Sequence, residues 1–390
     1  MKPLTMYVCV CEGEREREKR ERWSLQASKV ASVVPIKNQL IVVQSNIAGA
    51  QSGVCCGMSG DNLPSPKEVV DLYKSQNITR MRLFGPNQEI FQALRDTNIE
   101  LILGIPESDL EGIASSNLST AIDWVNTNII AYYPSVRFLY IANGNEVSPI
   151  TNSNAQFFLP AMQNIYDQIA PAGLDNQIKV STIVSAQILG TSNPPSKGAF
   201  RDDVGSFINP IILFLVQKGS PLLANVYPYF SYSADQQGIS LSYALFTSQS
   251  IVVQDGKLGY RNLFDSIVNT LYSALEKLGA STIEIVVSES GWPSEGGTGA
   301  SMENARVYNS NLLQHMKGGT LKRPGKEVET YVFNMFDEND YKHFWGLYLP
   351  NKQPKYGFNF SSPPTNSPPS ESNKPNCINY YITLHYPSPI

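Results

Sequence analysis

Two glutamates stand at the ends of predicted strands, where a carboxylate can do chemistry. Glu146 closes the run "VRFLYIANGNE", and Glu289 follows the apolar run that begins at Ile283. A carboxylate at the end of a buried strand is costly unless it has a partner or a task. Two of them suit glycoside hydrolysis, because one donates a proton to the leaving oxygen while the other, ionised, attacks the anomeric carbon.

The strands that position these glutamates belong to a regular alternation between Gly53 and about Phe360. Strands are predicted for eight short apolar runs, at 53–58, 79–84, 100–106, 136–146, 178–186, 221–230, 283–291 and 329–338. Helices are predicted between them at Ser65–Gln76, Gln88–Thr97, Thr120–Ala131, Ala155–Ala170, Asp203–Gln217, Asn262–Leu278 and Met302–Lys317. This alternation predicts an α/β fold, a single-domain (β/α)8 TIM barrel over residues 51–360.

An open, doubly wound sheet is the rival fold for such an alternation. That fold usually shows a glycine-rich phosphate turn after an early strand, and the segment "CCGMSGDN" does not fit G-x-G-x-x-G. Residues 243–260 carry an Asp-Gly pair and predict an inserted hairpin that lies outside the barrel count.

The active site of a (β/α)8 barrel lies at the C-terminal ends of its strands, so polar and aromatic residues at those ends are the candidates. They are Asn145 and Glu146 after strand four, Tyr227, Tyr229 and Phe230 in strand six, Glu289 in strand seven, and Asp337 and Glu338 in strand eight. Strands four and seven face each other, which predicts a carboxyl separation of roughly 5–5.5 Å, as in retaining glycosidases. The alternative is a glutamate that only caps a helix or pairs with an arginine.

Other chemistries find little support in the composition. The three histidines fall in a helix, a loop and the tail, so we predict neither a Ser/His/Asp set nor a metal site, and no cofactor. The five cysteines form no disulfide framework, and Cys55 and Cys56 are predicted as small buried thiols. A net charge of −4 and a pI near 5.6 argue against nucleic acid as a partner. No apolar stretch reaches the roughly 18 residues that a membrane span requires.

The two ends of the chain differ in composition from the barrel region. Residues 1–50 combine a run of alternating charges with a moderately apolar stretch, which resembles a degenerate secretion signal cleaved before Gln51. Residues 361–390 begin with a Ser/Pro-rich segment that cannot bury a core, so we expect a disordered tail. Three sequons would accept glycans in a secreted protein, at Asn77, Asn117 and Asn359.

Four segments carry the motifs of a known family. They are "YIANGNEVSP" (140–149), "LANVYPYFSY" (223–232), "IVVSESGWPS" (285–294) and "FNMFDEN" (333–339). Together they resemble the plant endo-β-1,3-glucanases of glycoside hydrolase family 17, and "GVCCGMSGDNLPSP" (53–66) and "RMRLFGPNQ" (80–88) match the start of that family's domain. The resemblance implies a retaining hydrolase whose partner is β-1,3-glucan and which is secreted to the cell wall or sent to the vacuole. We expect a monomer.

Two glutamates take the central roles that the resemblance implies. Glu289 matches the family's nucleophile, and Glu146 matches its general acid/base. Asn145, next to the acid, would hydrogen-bond the 2-hydroxyl of the sugar at the cleavage point, a contact expected to strengthen in the transition state.

Further residues match positions around the family's cleft. Tyr227 and Phe230 would line the cleft, and Glu338 is a third acidic position that helps to hold the catalytic cluster. Trp292, next to the nucleophile, is predicted either to stack on a sugar ring or to pack in the core.

The sequence departs from the family's pattern in three places. Phe84-Gly85 stands where the family commonly has Tyr-Asp, which removes a hydroxyl and a carboxylate near the sugar at the cleavage point. Asn143 stands where a small apolar residue is usual. Tyr341 occupies a lysine position in a shortened loop that also lacks a further glutamate, and Lys342 is predicted to substitute from one position away.

These departures leave other interpretations open besides a working endo-1,3-β-glucanase. One is a weakly active or inactive glucan-binding homologue, or a misassembled gene product, that keeps the fold. Another is an enzyme for mixed 1,3;1,4-β-glucans, because the catalytic pair is common to both specificities. Losing one partner of such a network often costs about 10- to 1,000-fold in rate, or roughly 1.4–4 kcal/mol.

Overall fold

The computed structural model describes residues 6–11, 52–146, 149, 154–339, 342–357, 360 and 377–382. The chain divides into a main unit, Ala48–Ser361, and a unit of its two ends, Met1–Ile47 with Ser362–Ile390. In the unit of the ends, strand Met6–Cys11 pairs antiparallel with strand Cys377–Ile382, which the sequence did not predict. The predicted signal and most of the predicted tail lie outside the described residues. Within the described ranges, no helix has the length and apolar character needed to cross a bilayer.

A closed barrel of eight parallel strands forms the main unit. Its strands are β1 (Ser52–Cys56), β2 (Arg80–Leu83), β3 (Glu100–Ile105), β4 (Arg137–Asn143), β5 (Lys179–Ser185), β6 (Leu222–Asn225), β7 (Ile285–Ser290) and β8 (Thr330–Val332). Neighbours along the chain pair with one another, and β8 pairs with both β7 and β1, which closes the barrel. The predicted (β/α)8 fold is confirmed.

Helices connect successive strands of the barrel. They are α1 (Pro66–Ser75), α2 (Gln88–Leu94), α3 (Glu107–Ile113), α4 (Ser119–Val125), α5 (Ala155–Ile169), α6 (Gly205–Lys218), α7 (Pro228–Ala234), α8 (Leu241–Ala244), α9 (Leu263–Lys277) and α10 (Met302–His315). A π-helical turn, Asn126–Ile130, extends α4. Every predicted helix is present, and α3, α7 and α8 are additional.

Side-chain caps fix where several helices begin. The Asn87 side chain accepts from Ile90 N at the start of α2 (2.9 Å), and the Asn262 side chain accepts from Asp265 N at the start of α9 (2.7 Å). Such a cap contributes about 1 kcal/mol to stability. Since α2 begins shortly after β2, the Asn87 cap also fixes the loop that carries Phe84.

The strands are buried on both faces, which explains why they are continuous apolar runs in sequence. One cluster fills the barrel interior: Cys55, Ile102, Tyr140, Ala142, Ile183, Leu223, Val286 and Tyr331. A larger cluster joins the other strand face to the helices. Cys55 belongs to the inner cluster and Cys56 to the outer one, so the prediction of two buried thiols is confirmed.

β6 ends earlier than predicted. It stops at Asn225, and the chain enters α7 at Pro228, whose missing amide hydrogen suits a first helical position. Tyr227 therefore precedes α7, and Tyr229 and Phe230 are helical, not strand residues.

β8 is also shorter than predicted and ends at Val332. The following residues leave the regular ladder, because Asn334 N donates to Trp345 O (3.2 Å) and Met335 N donates to Cys55 O (2.9 Å). Glu338 consequently lies in a folded loop after the strand and not at its end.

The predicted inserted hairpin is confirmed within its predicted range. Strands Val253–Asp255 and Leu258–Tyr260 pair antiparallel, and Gly256 in the turn has a φ of 58°. Glycine adopts this left-handed conformation without steric cost.

Candidate active site

Glu289 lies near the C-terminal end of β7 and is 5% exposed. Arg82 Nη1 lies 2.7 Å from its Oε1, and the Tyr227 hydroxyl donates to its Oε2 at 2.6 Å. Burial raises the pKa of Glu289, while the Arg82 charge and the Tyr227 hydrogen bond oppose that rise. This carboxylate is therefore oriented by a cation on one oxygen and by a hydroxyl on the other.

Arg82 is a central residue that the sequence prediction missed. Its side chain is 1% exposed inside the barrel, where Nη1 donates to Ser288 O (3.0 Å) and Nη2 donates to Asn145 Oδ1 (2.9 Å). A buried cation is costly unless it is paired, and here the partners of both terminal nitrogens come from the C-terminal end of the barrel, whereas the buried Nε has no hydrogen-bond partner among the described residues. The available signal was the alternation of arginine with apolar residues in β2, whose sequence is RMRL.

Asn225, the last residue of β6, is a second residue that the prediction missed. Its Oδ1 accepts from Arg82 Nη1 (3.1 Å) and from the Ser288 hydroxyl (2.9 Å). Its Nδ2 donates to Glu146 Oε1 and to Asn145 Oδ1, both at 3.1 Å. A hydrogen bond from Asn225 also helps to lower the pKa of Glu289. One buried amide thus contacts the surroundings of both glutamates.

Glu146 follows β4 by three residues and is exposed, unlike Glu289. Its φ of 52° is left-handed, as is the φ of 66° at Gly144. A Cβ at Gly144 would lie 2.1 Å from the Phe158 ring, so only glycine fits there. A non-glycine residue in this conformation costs about 1 kcal/mol or more. The strained turn places the Glu146 carboxylate against Asn225.

The amide nitrogen of Asn145 is available to a ligand, because the hydrogen bonds of this side chain to Arg82 and Asn225 use its oxygen. Arginine can only donate, so the oxygens of Asn225 and Asn145 must face Arg82. Both described bonds of Asn145 use Oδ1, and the residue is exposed. Its Nδ2 is therefore a donor beside Glu146, where the predicted sugar contact requires one.

Aromatic rings form a wall next to the glutamates. The Tyr227 ring centroid lies 5.1 Å from that of Phe230 and 5.4 Å from that of Trp345. Phe230 is 49% exposed and presents much of its ring to solvent, whereas Trp345 is 7% exposed. The prediction missed Trp345, although it stands in the aromatic run "HFW" of the loop after β8. The three rings are steeply inclined to one another, so the exposed ring of Phe230 is the main apolar surface that this wall offers to a ligand.

Phe84 packs against the Arg82 guanidinium. The guanidinium carbon is 4.4 Å from the Phe84 ring centroid, and that ring meets Phe333 edge-on at 6.1 Å. A cavity of about 80 Å³ is lined by Phe84, Arg82 and Asn145 among others. Phe84 is half-buried, and its contact with the substrate stays a prediction.

Glu338 connects two loops rather than the two glutamates. Its Oε1 accepts from Ser59 N after β1, and its Oε2 accepts from Asn334 Nδ2 after β8, both at 2.7 Å. A Cβ at Gly57 would lie 2.3 Å from this carboxylate, so the chain after β1 packs directly on it. At 3% exposure, Glu338 supports the rim of the barrel.

Trp292 is fully buried, at 0% exposure. Its Nε1 donates to Gly299 O (2.9 Å), and its rings pack on Tyr229 at 5.1 Å and on Tyr308 at 5.5 Å. An indole with no exposed face cannot stack on a sugar, so the stacking prediction is wrong for this conformation. The alternative prediction, a packed core tryptophan, describes the structure.

Lys342 is exposed in the loop after β8. Tyr341, whose position it was predicted to cover, lies outside the described residues. The substitution of Lys342 for the missing lysine stays a prediction.

A third buried glutamate lies at the opposite end of the barrel. Glu329, just before β8, has Oε1 3.0 Å from Arg80 Nη1, and the same oxygen accepts from the Tyr331 hydroxyl at 2.8 Å. Its Oε2 accepts from the Tyr140 hydroxyl at 2.9 Å. Burial raises the pKa of Glu329 above its ordinary value. Arg80 also pairs with Glu100, at 2.9 Å.

Residues 52–360 match the sequence model of Glycosyl hydrolases family 17. A glucan endo-1,3-beta-glucosidase of Vitis vinifera is 53% identical over 339 residues, which cover 84% of this chain and 97% of that protein. A basic vacuolar isoform of glucan endo-1,3-beta-glucosidase from Nicotiana tabacum is 51% identical over 340 residues, covering 85% and 91% of the two chains.

A solved structure shares the fold. The β-1,3-glucanase and allergen of Cryptomeria japonica pollen superposes with a TM-score of 0.77 at 48% identity. The match covers 80% of this chain and 99% of that one.

Proposed function

We propose, since the chain belongs to family 17 of the glycosyl hydrolases, that it hydrolyses internal 1,3-β-D-glucosidic bonds with retention of configuration. The observation that carries the mechanism is a pair of glutamates in unequal surroundings that share one amide. Glu289 is buried between Arg82 and Tyr227, Glu146 is exposed, and Asn225 contacts the latter directly. The relatives' names support the substrate, because the Vitis vinifera protein is a glucan endo-1,3-beta-glucosidase.

In the first step, Glu146 gives its proton to the glycosidic oxygen as the bond from that oxygen to the anomeric carbon breaks. A carboxylate oxygen of Glu289 attacks the same carbon from the other face and forms a covalent ester. In the second step, Glu146 takes a proton from water, the hydroxide adds to the anomeric carbon, and Glu289 leaves as a carboxylate. Two inversions at one carbon give net retention. This route requires the two carboxyl groups at roughly 5–5.5 Å.

Each neighbouring residue has a task in this scheme. Arg82 favours the ionised form of Glu289, which burial alone would disfavour. Tyr227 orients the attacking carboxylate through Oε2. Asn225 keeps Glu146 beside Asn145, so that the acid and the donor for the 2-hydroxyl meet the same sugar.

The cleft surfaces suit a neutral polysaccharide. Phe230 offers an exposed ring beside Tyr227, and Phe84 lines a small cavity together with Arg82 and Asn145. A sugar at the cleavage point would contact Phe84 through its apolar face. Phe84-Gly85 supply neither a hydroxyl nor a carboxylate here. The absence of these two groups would reduce the rate, while the catalytic pair remains.

Entry into the secretory pathway, with a vacuolar or extracellular destination, is also part of this proposal. It is supported by the vacuolar relative of Nicotiana tabacum. Asn77 and Asn117 are both exposed, so a glycan at either position meets no packed neighbour, while Asn359 lies outside the described residues. Mass spectrometry of the protein from its native tissue, before and after glycan removal, tests both positions.

Hydrolysis of a soluble β-1,3-glucan by the purified full chain tests the activity, with Glu289→Gln as the matched variant. Wild type should release oligosaccharides, and proton NMR of the first products should show the β-anomer. A folded wild type that is as silent as the variant would reduce the protein to a glucan-binding homologue. Initial release of the α-anomer would contradict retention, and faster cleavage of a mixed 1,3;1,4-glucan would reassign the substrate.

A further inference from the structure

A second cavity lies on the catalytic side of the barrel, in the segments that leave it after β5 and β6. Its volume is about 500 Å³, within the range of about 300–1,000 Å³ that is typical of small-molecule sites. The loop after β5, the α7–α8 region and α9 supply its walls. None of the residues of the candidate active site lines it.

Hydrogen bonds between the walls hold this cavity open. The Tyr243 and Ser266 hydroxyls, from different segments, are 2.6 Å apart. Val252 N donates to Tyr260 O at 2.8 Å, which ties the rim to the inserted hairpin. Because residues from different segments are bonded to one another, a ligand would meet a preformed surface and not an ordering cost.

The lining matches the two kinds of surface that a sugar presents. Leu189, Ile239 and Val252 offer aliphatic contact for the C–H faces of a pyranose ring. Ser192, Asn193 and Ser231 supply hydroxyl and amide groups suited to sugar hydroxyls.

Charge narrows the class of ligand further. Asp235 is the one charged residue among those that line the cavity, and it is exposed. Its Oδ1 accepts from Gly238 N at 2.8 Å, so the carboxylate is held in place. A carboxylate accepts hydrogen bonds from sugar hydroxyls and repels anions, which disfavours phosphates and uronic acids.

The cavity is adjacent to the cleft in the fold. Ser231 lines the cavity, and its neighbour Phe230 belongs to the aromatic wall beside Tyr227. The helix α7 therefore lies between the cavity and the cleft, with Ser231 at the cavity and Phe230 at the cleft. We infer that this cavity is a second binding site for a neutral β-glucan segment, distinct from the cleft. This inference rests on the proposed function, because it concerns the same polymer.

Holding one polymer at two points raises the effective concentration of glucan at the cleft. The benefit should be confined to long or particulate substrates, because a short oligosaccharide cannot occupy both sites at once. The two classes of substrate therefore separate the second site from the catalytic one.

Calorimetric titration of the full-length Glu289→Gln protein with a β-1,3-linked glucose hexamer tests the inference. Two molecules should bind per chain. Val252→Trp, added to this protein, should fill the cavity from its rim and reduce the number to one. The matched control is Ile251→Trp, because Ile251 is 48% exposed, like Val252 at 44%, but does not line the cavity. That control should still bind two.

Asp235→Asn gives a second variant that keeps an oxygen for Gly238 N. It should weaken the second site about tenfold and leave the cleft unchanged. In the chain with Glu289 intact, Val252→Trp should slow hydrolysis of particulate β-1,3-glucan about three- to tenfold, while cleavage of the hexamer stays within about twofold.

Binding of a single hexamer by the Glu289→Gln protein would overturn the inference. So would a second site that survives Val252→Trp with unchanged affinity. The proposed function is tested by a different measurement, the hydrolysis of β-1,3-glucan by the chain with Glu289 intact. If that hydrolysis is absent, the proposed function fails, whatever the binding titrations show.

Discussion

The two ends of the barrel each hold a buried glutamate, an arginine of β2 and tyrosine hydroxyls. At the C-terminal end, Glu289 has Arg82 and Tyr227 as partners, and at the N-terminal end Glu329 has Arg80 and two tyrosines. Burial raises the pKa of both carboxyls. The residue types, the charges and the direction of the pKa shift are thus the same at both ends.

The difference lies in what surrounds each pair. Tyr140 and Tyr331 bond both oxygens of Glu329, and Arg80 is shared with the nearby Glu100. Glu289 instead borders an amide, Asn225, which bonds the exposed Glu146. A perturbed carboxylate does not by itself indicate a reactive site, since Glu329 is also linked, through Arg80, to the partly exposed Glu100. The end of the barrel and the amide between the two glutamates make the difference.

Replacing each glutamate by glutamine should give the largest contrast. Glu289→Gln removes the proposed nucleophile and should lower kcat by about 1,000-fold or more. Glu329→Gln keeps the shape of its cluster, and its activity on β-1,3-glucan should stay within about twofold. Equal losses in steady-state assays would mean that the two ends do not differ in function.

Replacing the two arginines by methionine should separate a pH effect from a stability effect. Without Arg82 the pKa of Glu289 rises further, so kcat/KM at neutral pH should fall about 100-fold. Since the reaction needs ionised Glu289, the acidic limb of the pH–rate profile should move to higher pH.

Arg80→Met is the matched control and should leave that limb in place. It strips a buried carboxylate of its cation, so the free energy of unfolding should fall by about 3–5 kcal/mol, measured by denaturant titration. A shifted limb in Arg80→Met would show that the clusters are coupled electrostatically.

The Asn225 amide has no counterpart at the N-terminal end among the described residues, which makes it a test of the connection itself. Asn225→Ala removes the donor to Glu146 and an acceptor for Arg82, and should lower kcat about 10- to 100-fold with a smaller change in KM. Asn225→Asp places an oxygen opposite Glu146 and should be at least as slow. Unchanged kcat in both variants would assign Asn225 to packing alone.

Removing one hydroxyl from each cluster should give a smaller difference. Tyr227→Phe deletes the hydrogen bond to Glu289 Oε2 and should lower kcat about tenfold. Tyr140→Phe deletes the bond to Glu329 Oε2 and should leave kcat unchanged while lowering the free energy of unfolding by about 1 kcal/mol. A loss of activity in Tyr140→Phe would argue against a purely structural N-terminal cluster.

Titration of Glu329 should change the free energy of unfolding with pH and leave the activity unchanged. The folded state raises the pKa of Glu329, so it binds that proton more tightly than the unfolded chain does. Wild type should therefore lose stability as pH rises from the unfolded value of about 4.3 through the raised one. The glutamine in Glu329→Gln does not titrate. The free energy of unfolding of this variant, measured in denaturant titrations, should therefore rise relative to that of wild type as the pH increases through this range. A constant difference would mean that the pKa is not raised.

The barrel was predictable because its strands are continuous apolar runs separated by amphipathic helices. The end of β6 was not, since the run through Tyr227 and Phe230 is apolar and aromatic on both sides of the strand boundary at Asn225. Helix α7 follows from Pro228 and from packing against the loops around it, and no local pattern expresses that packing.

The two glutamates could be located because each stands in a motif at a strand end. Arg82, Asn225 and Trp345 could not, because their importance depends on which side chains the closed barrel brings to them. Alternation along β2 puts Arg80 and Arg82 on the same face, but sequence does not say that this face is the inside of the barrel. Trp292 was ambiguous for the same reason.

The left-handed turn at Glu146 has a consequence for selection and engineering. Glycine or asparagine would occupy a φ of 52° at lower cost than glutamate, so the proposed general acid occupies a place where other residues would be more stable. A library screened only for thermal resistance would therefore favour replacing Glu146. Screens for robust variants of this chain need a catalytic readout, or they will enrich well-folded proteins that no longer turn over.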